Sequence, residues 1–137
     1  MIDINHIRNQ ITNHYKQKKE EHKQQRNRKH NEYWSKYYGS KQWHTLRNNY
    51  YQLHPCCECH DKLGIIVPAE EVHHLKVWSK ALTEEGKWNL LLNPNNLCSL
   101  CKSCHHDIHK LIEQKGTDIV SLDELVEYEK THTHLNE

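Results

Sequence analysis

Residues 93–110 read NPNNLCSLCKSCHHDIHK, and this stretch decides the fold. Leu97–Leu100 is a short apolar run of strand length. Cys101 and Cys104 follow at the spacing of a metal knuckle, where a tight turn lets two thiolates grip one edge of a tetrahedral ion. His105 and His109 come next, four residues apart. On a helix that begins near Lys102 and ends near Gly116 they share one face. The turn that closes the cysteine pair therefore also aims two imidazoles. Asn96 sits just ahead of the strand, in the NPNN turn.

Upstream, residues 55–60 read PCCECH. Cys56 and Cys59 form a second knuckle pair, with 41 residues between it and Cys101. Four cysteines in two such pairs make a structural zinc site. A competing register, Cys57 with His60, gives three cysteines and one histidine in the same shape, and spacing leaves both open. Between the knuckles lies PAEEVHHLK, residues 68–76, with the adjacent pair His73 and His74. A structural zinc site has no use for His73, His74, Asn96, His105 and His109, so this second set points to chemistry.

The composition agrees with a metal-stapled domain. The chain has 137 residues, the size of one ordinary domain. Mean hydropathy is −1.05, phenylalanine is absent, and Leu, Ile and Val together number 28. Against that stand 14 histidines and 6 cysteines, the donors of a metal staple. No apolar run approaches the ~20 residues of a membrane helix. The opening residues MIDINHIRNQ carry no secretion-type pattern, so a cytoplasmic, reducing setting is expected, with thiols available for metal.

The net charge of +1 hides an asymmetry. Residues 1–60 carry +6 and residues 113–137 carry −5. The basic excess peaks in KQKKEEHKQQRNRK, residues 16–29, expected as a helical or disordered arm. Lys16, Lys18, Lys19, Lys23, Arg26, Arg28 and Lys29 are its candidate phosphate contacts, with Arg47 further on. A solvated helix with no partner is the equal alternative for this stretch. Ile4, Ile7, Ile11 and Tyr15 make a one-sided stripe, expected as a packing face. Trp43, Leu46 and Tyr50 predict an amphipathic helix that ends before Pro55, and their aromatics are expected in the core. Ser121 and Glu124 make a capping box for a last acidic helix, with a frayed end at THTHLNE.

With these motifs quoted, the sequence resembles the HNH endonucleases, the ββα-metal nucleases, over roughly residues 37–110. YYGSKQWHTLRNNYYQLHPCCEC looks like the aromatic lead-in and first knuckle of phage-type members. PAEEVHHLK looks like the first strand, and NPNNLCSLCKSCHHDIHK like the Asn turn, second strand, second knuckle and helix. Many family members have Asp where this chain has His73, so the resemblance implies an all-histidine site. The usual knuckle spacing favours Cys57 and His60, but Cys56, Cys59, Cys101 and Cys104 are the expected zinc ligands, because thiolates bind zinc well.

The resemblance implies an α+β fold: a ββα-metal (His-Me finger) core stapled by structural zinc, with flanking helices. Strands are expected around 71–77 and 96–100, a helix near 102–115, and a short helix within 79–94. The implied division is a basic arm over 1–36, a nuclease domain over 37–116, and an acidic helix and tail over 117–137. The implied activity is hydrolysis of DNA phosphodiester bonds. His74 is the general base; His73, His105 and His109 hold one divalent ion, Mg²⁺, Mn²⁺, Ni²⁺ or Zn²⁺; and Asn96 holds the His74 backbone. The implied partner is DNA, read by a monomer with a dimer left open, and a phage terminase follows from the phage-type lead-in. A non-catalytic zinc ribbon that binds nucleic acid is the competing function.

Overall fold

Strand β1 (Glu71–His74) and strand β2 (Leu97–Leu100) pair antiparallel, with Glu71 opposite Leu100 and His74 opposite Leu97. A computed structural model describes residues 1–132; the end of the expected frayed tail, 133–137, lies outside the described residues. The other elements are α1 (Ile4–Tyr38), α2 (Lys41–Leu53), α3 (Glu58–Lys62), α4 (Glu84–Leu91), α5 (Lys102–Lys115) and α6 (Leu122–His132). Strand β2 runs directly into α5 through Cys101. The two strands and α5 form a ββα unit, and the fold is α+β with flanking helices.

Two compact units divide the chain, Met1–Ser40 and residues 41 onward. The first is α1. Its 35 residues are rich in Lys, Arg, Gln and Glu, all good helix formers, with no Pro or Gly before Gly39. Asp3 caps it by accepting from the backbone N–H groups of Asn5 and His6, at 3.0 and 3.2 Å. Ile4, Ile7, Ile11 and Tyr15 do line one side, but that side is exposed rather than packed. The helix runs past the expected boundary at 36, to the Gly39 turn.

The second unit holds the core. It is built from Cys57, Cys59, Cys98, Leu100, Cys101, Cys104, Ile108, Leu111, Val120, Leu125 and Val126. Five of these eleven are cysteines, so thiols replace the aliphatic bulk that the composition lacks. Helix α5 ends at Gly116, whose φ of 61° is the left-handed conformation that glycine adopts without penalty. The chain then returns along the end of β1: Val77 N–H donates to Asp118 O at 2.7 Å and Val120 N–H to Leu75 O at 3.4 Å.

Helix α6 starts at the expected capping box. Glu124 N–H donates to Ser121 Oγ at 3.2 Å, and Ser121 N–H donates back to Glu124 Oε1 at 3.4 Å. Residues 117–132 belong to the second unit. Leu125 and Val126 of α6 pack into the core, which α3 and α5 also line. The acidic count conceals this amphipathic face.

Leu125 is fully buried. Leu125→Ala is expected to cost about 2–5 kcal/mol, read as a lower urea midpoint with an unchanged slope. A destabilisation below about 0.5 kcal/mol, the range of a surface substitution, would mean that α6 is not part of the core.

Candidate metal and active site

Strand alternation puts Glu71 and His73 on one face of β1, the face that α5 crosses. His105 and His109 lie there, one helical turn apart. The His73 ring is centred 5.2 Å from His105 and 5.1 Å from His109, and those two are 4.5 Å apart. The Nε2 atoms of His105 and His109 are 3.0 Å apart. One ligand nitrogen from each of the three falls within 4.8 Å of the others.

His73 Nε2 is buried and has no hydrogen-bond partner. An unsatisfied buried ring nitrogen is costly unless something fills the space before it. Burial, then the nearby His105, His109 and His74, push the His73 pKa down to about 3. Burial also lowers His105. Neutral imidazoles facing one another are what a divalent cation needs as ligands. Glu71 Oε2 accepts from His105 Nδ1–H, which turns Nε2 of that ring toward the cluster. The residues present therefore fit a bound divalent ion.

His74 points to the other face of β1. Its Nε2–H donates to the Leu91 carbonyl at 3.0 Å, at the end of α4. The neutral ring then carries its basic lone pair on Nδ1. Trp43 of α2 packs against it at a tilt, with ring centres 4.7 Å apart and planes 32° apart. Burial lowers the His74 pKa, and the bond to Leu91 opposes that shift. Helix α4, expected as a short helix within 79–94, thus supplies a backbone acceptor that no sequence motif reveals.

Asn96 is buried and forms a three-bond clamp. Its Oδ1 accepts from Lys76 N–H at 2.8 Å, and its Nδ2 donates to Lys76 O and Leu90 O at 3.1 Å each. Its own carbonyl accepts from Leu75 N–H at 2.8 Å. The clamp holds Lys76 rather than the His74 backbone. It joins the segment after β1 to the end of α4, which carries the Leu91 carbonyl.

The second cluster corrects the first knuckle. Its members are Cys57, His60, Cys101 and Cys104. His60 Nδ1 lies 3.3 Å from Cys57 Sγ, 3.5 Å from Cys101 Sγ and 3.4 Å from Cys104 Sγ. With Zn–S about 2.3 Å and Zn–N about 2.0 Å, a tetrahedral angle sets S···N edges near 3.5 Å. Cys56 and Cys59 are outside this set. Cys56 is half-buried in extended backbone that bridges to Pro68, where neighbouring side chains point opposite ways. Cys57 is the N-cap of α3, so His60 arrives on its side one turn later. Cys59 is buried beside Cys104 but is not one of the four grouped donors. The hydrogen bond that the Cys57 thiol donates to Cys104, together with burial, pushes the Cys57 pKa up to about 12, so metal binding must displace its proton.

Two carboxylates that sequence reasoning misses hold the frame. Glu58 Oε2 accepts from Tyr50 Oη–H at 2.8 Å and Ser99 N–H at 2.6 Å, joining α2, α3 and β2. Glu70 Oε2 accepts from Lys102 N–H at 2.8 Å at the start of α5. Such carboxylates leave no mark in motif spacing.

The basic candidates divide by face. Lys18, Lys19, Arg26 and Lys29, with Tyr15, His22 and Gln25, line a shallow groove of about 630 Å³ along α1. At 100° per residue, Lys16 and Lys23 turn away from that face. Arg28 lies beside Lys29 on a neighbouring strip with Glu32. Arg47, on α2, lines a pocket of about 110 Å³ with Asn48, Tyr51, Glu70 and Val72.

Among solved structures, the chain is similar to the HNH endonuclease of deep-sea thermophilic bacteriophage GVE2, crystallised with manganese ion. The two are 27% identical, the match covers 69% of this chain and 95% of that one, and the TM-score is 0.46. No family model matches the chain. No curated protein matches it either.

The corrected register makes a clean test. Cys57→Ser is expected to abolish tight metal binding and the cooperative thermal transition, because such a site carries on the order of 10 kcal/mol of folding free energy. Cys56→Ser should keep both. Metal analysis beside calorimetry decides, and metal loss in Cys56→Ser with retention in Cys57→Ser would restore the four-cysteine assignment.

Proposed function

We propose that this chain is a metal-dependent HNH endonuclease that hydrolyses DNA phosphodiester bonds. The observation that carries the reading is the pairing of two adjacent histidines with opposite duties. His73 turns an unsatisfied buried Nε2 toward His105 and His109. His74 is held by its Nε2–H on the Leu91 carbonyl.

Phosphodiester hydrolysis needs an activated water and a way to offset charge on the phosphate and the leaving oxygen. His74 Nδ1 takes the proton from the attacking water. Its Nε2–H bond to Leu91 O keeps the reactive tautomer and stabilises the imidazolium that forms. Trp43 packs against the ring, and Asn96 fixes the end of α4 that carries its acceptor. His73, His105 and His109 would hold the divalent ion, which supplies Lewis-acid neutralisation of the scissile phosphate. The expected products carry 5′-phosphate and 3′-hydroxyl ends. Cys57, His60, Cys101 and Cys104 would hold the structural zinc.

The arm contributes affinity without chemistry. Lys18, Lys19, Arg26 and Lys29 occupy one face of an exposed helix, an arrangement that suits a run of phosphates. Arg47 adds a cation in the second unit. No described helix is long and apolar enough to cross a membrane. The resemblance to phage-type members extends the proposal to DNA packaging beside a terminase, with the chain acting as a monomer.

A plasmid-nicking assay with Mg²⁺, Mn²⁺, Ni²⁺ or Zn²⁺ tests the activity. His74→Ala is expected to cut about 10²–10⁴-fold more slowly while keeping its thermal transition. Equal cutting by both proteins, or cutting by neither with any metal, would leave the zinc-ribbon binding module as the better reading.

A second expectation concerns the arm. Changing Lys18, Lys19, Arg26 and Lys29 to Gln should flatten the slope of log affinity against log salt by about 0.9 for each phosphate that the arm no longer neutralises. Fluorescence anisotropy with a labelled duplex measures it. An unchanged slope would make α1 a solvated helix with no part in binding.

A further inference from the structure

We propose that Glu71 is a positioning residue that selects the tautomer and ring orientation of His105 and so tunes metal affinity at the three-histidine cluster. The inference rests on the reading of that cluster as a divalent-ion site. It gives a role to Glu71, a residue of the PAEEVHHLK segment with no assigned part in the site.

The geometry is local and specific. Glu71 stands two residues before His73, so strand alternation puts both side chains on the face of β1 that α5 crosses. There the carboxylate meets His105 Nδ1. An ionised carboxylate only accepts, so Nδ1 must carry the proton and Nε2 the lone pair. That Nε2 is the atom 3.0 Å from His109 Nε2. The carboxylate thus fixes the proton on the far side of the ring from the cluster.

Among the described residues, His105 is the member of the cluster that pairs with a carboxylate. His73 is buried on a strand and cannot swing. His105 is half-exposed on the first turn of α5, where a free imidazole would sample other rotamers and both tautomers. A second hydrogen bond on the outer nitrogen removes that freedom and raises the basicity of the inner one. Partners of this kind are worth about 10–100-fold in metal affinity.

The test uses the full chain with its thiolate cluster loaded with zinc, titrated with Mn²⁺ and read by electron paramagnetic resonance. Mn²⁺ is a poor match for soft thiolates, which the bound zinc already occupies, so it reports the histidine cluster. Glu71→Ala is expected to weaken Mn²⁺ binding about 10–100-fold. Glu71→Gln should fall between, because its amide oxygen still accepts from Nδ1–H but carries no charge. In the metal-free protein, ¹⁵N shifts of His105 should report the Nδ1–H tautomer in wild type and a mixture in Glu71→Ala. Equal Mn²⁺ affinity in all three proteins, or an unchanged tautomer, would overturn the role of Glu71. Failure of wild type itself to bind Mn²⁺ would instead overturn the cluster as a metal site.

Discussion

The approach of His60 Nδ1 to three sulfurs, at 3.3–3.5 Å, is the constraint on which the rest depends. It ties the start of α3 to the junction of β2 and α5, two places far apart in sequence. The two strands have four residues each and could not stand alone. Helix α5 begins at the cluster, so the direction of α5 and the aim of His105 and His109 are set there. A low-hydropathy chain can keep a defined site because this tie replaces the apolar burial it lacks. Bound metal would convert the close donors into folding free energy.

From that anchor the active face follows by alternation. Neighbouring positions on β1 point to opposite sides, so two adjacent histidines enter two environments. His73 meets the imidazoles of α5, and its Nε2 is left buried without a partner. His74 meets Trp43 and the Leu91 carbonyl. On the proposed reading, one dipeptide would supply a ligand and a base without crowding them into one pocket. The supports come from elements remote in sequence. Helix α4 gives the carbonyl, α2 the indole, and the turn before β2 gives the Asn96 clamp.

Much of this is legible from local pattern. The strand–knuckle–helix order of residues 97–115, the α2 helix ahead of Pro55 and the Ser121–Glu124 cap each rest on short-range spacing, and each is present. The first knuckle misleads because Cys56 and Cys57 are adjacent, and their facing depends on where α3 begins. Spacing cannot show that a helix starts at Glu58 and carries His60 back over Cys57. The acidic charge of α6 conceals its Leu125 and Val126 face. The isoleucine stripe of α1 is periodic, and periodicity does not say whether a face is covered. Glu71, Glu58 and the Leu91 carbonyl escape notice because they act between elements that no motif joins.

The central claim is that His73, His105 and His109 form a divalent-metal site apart from the Cys57–His60–Cys101–Cys104 cluster. Anomalous diffraction at the manganese edge, from crystals of the Mn²⁺-loaded protein with a short DNA duplex, tests it most directly. The expected result is a peak among the three imidazoles with a phosphate oxygen beside it. A peak confined to the thiolate cluster, or none at the histidines, would contradict the account.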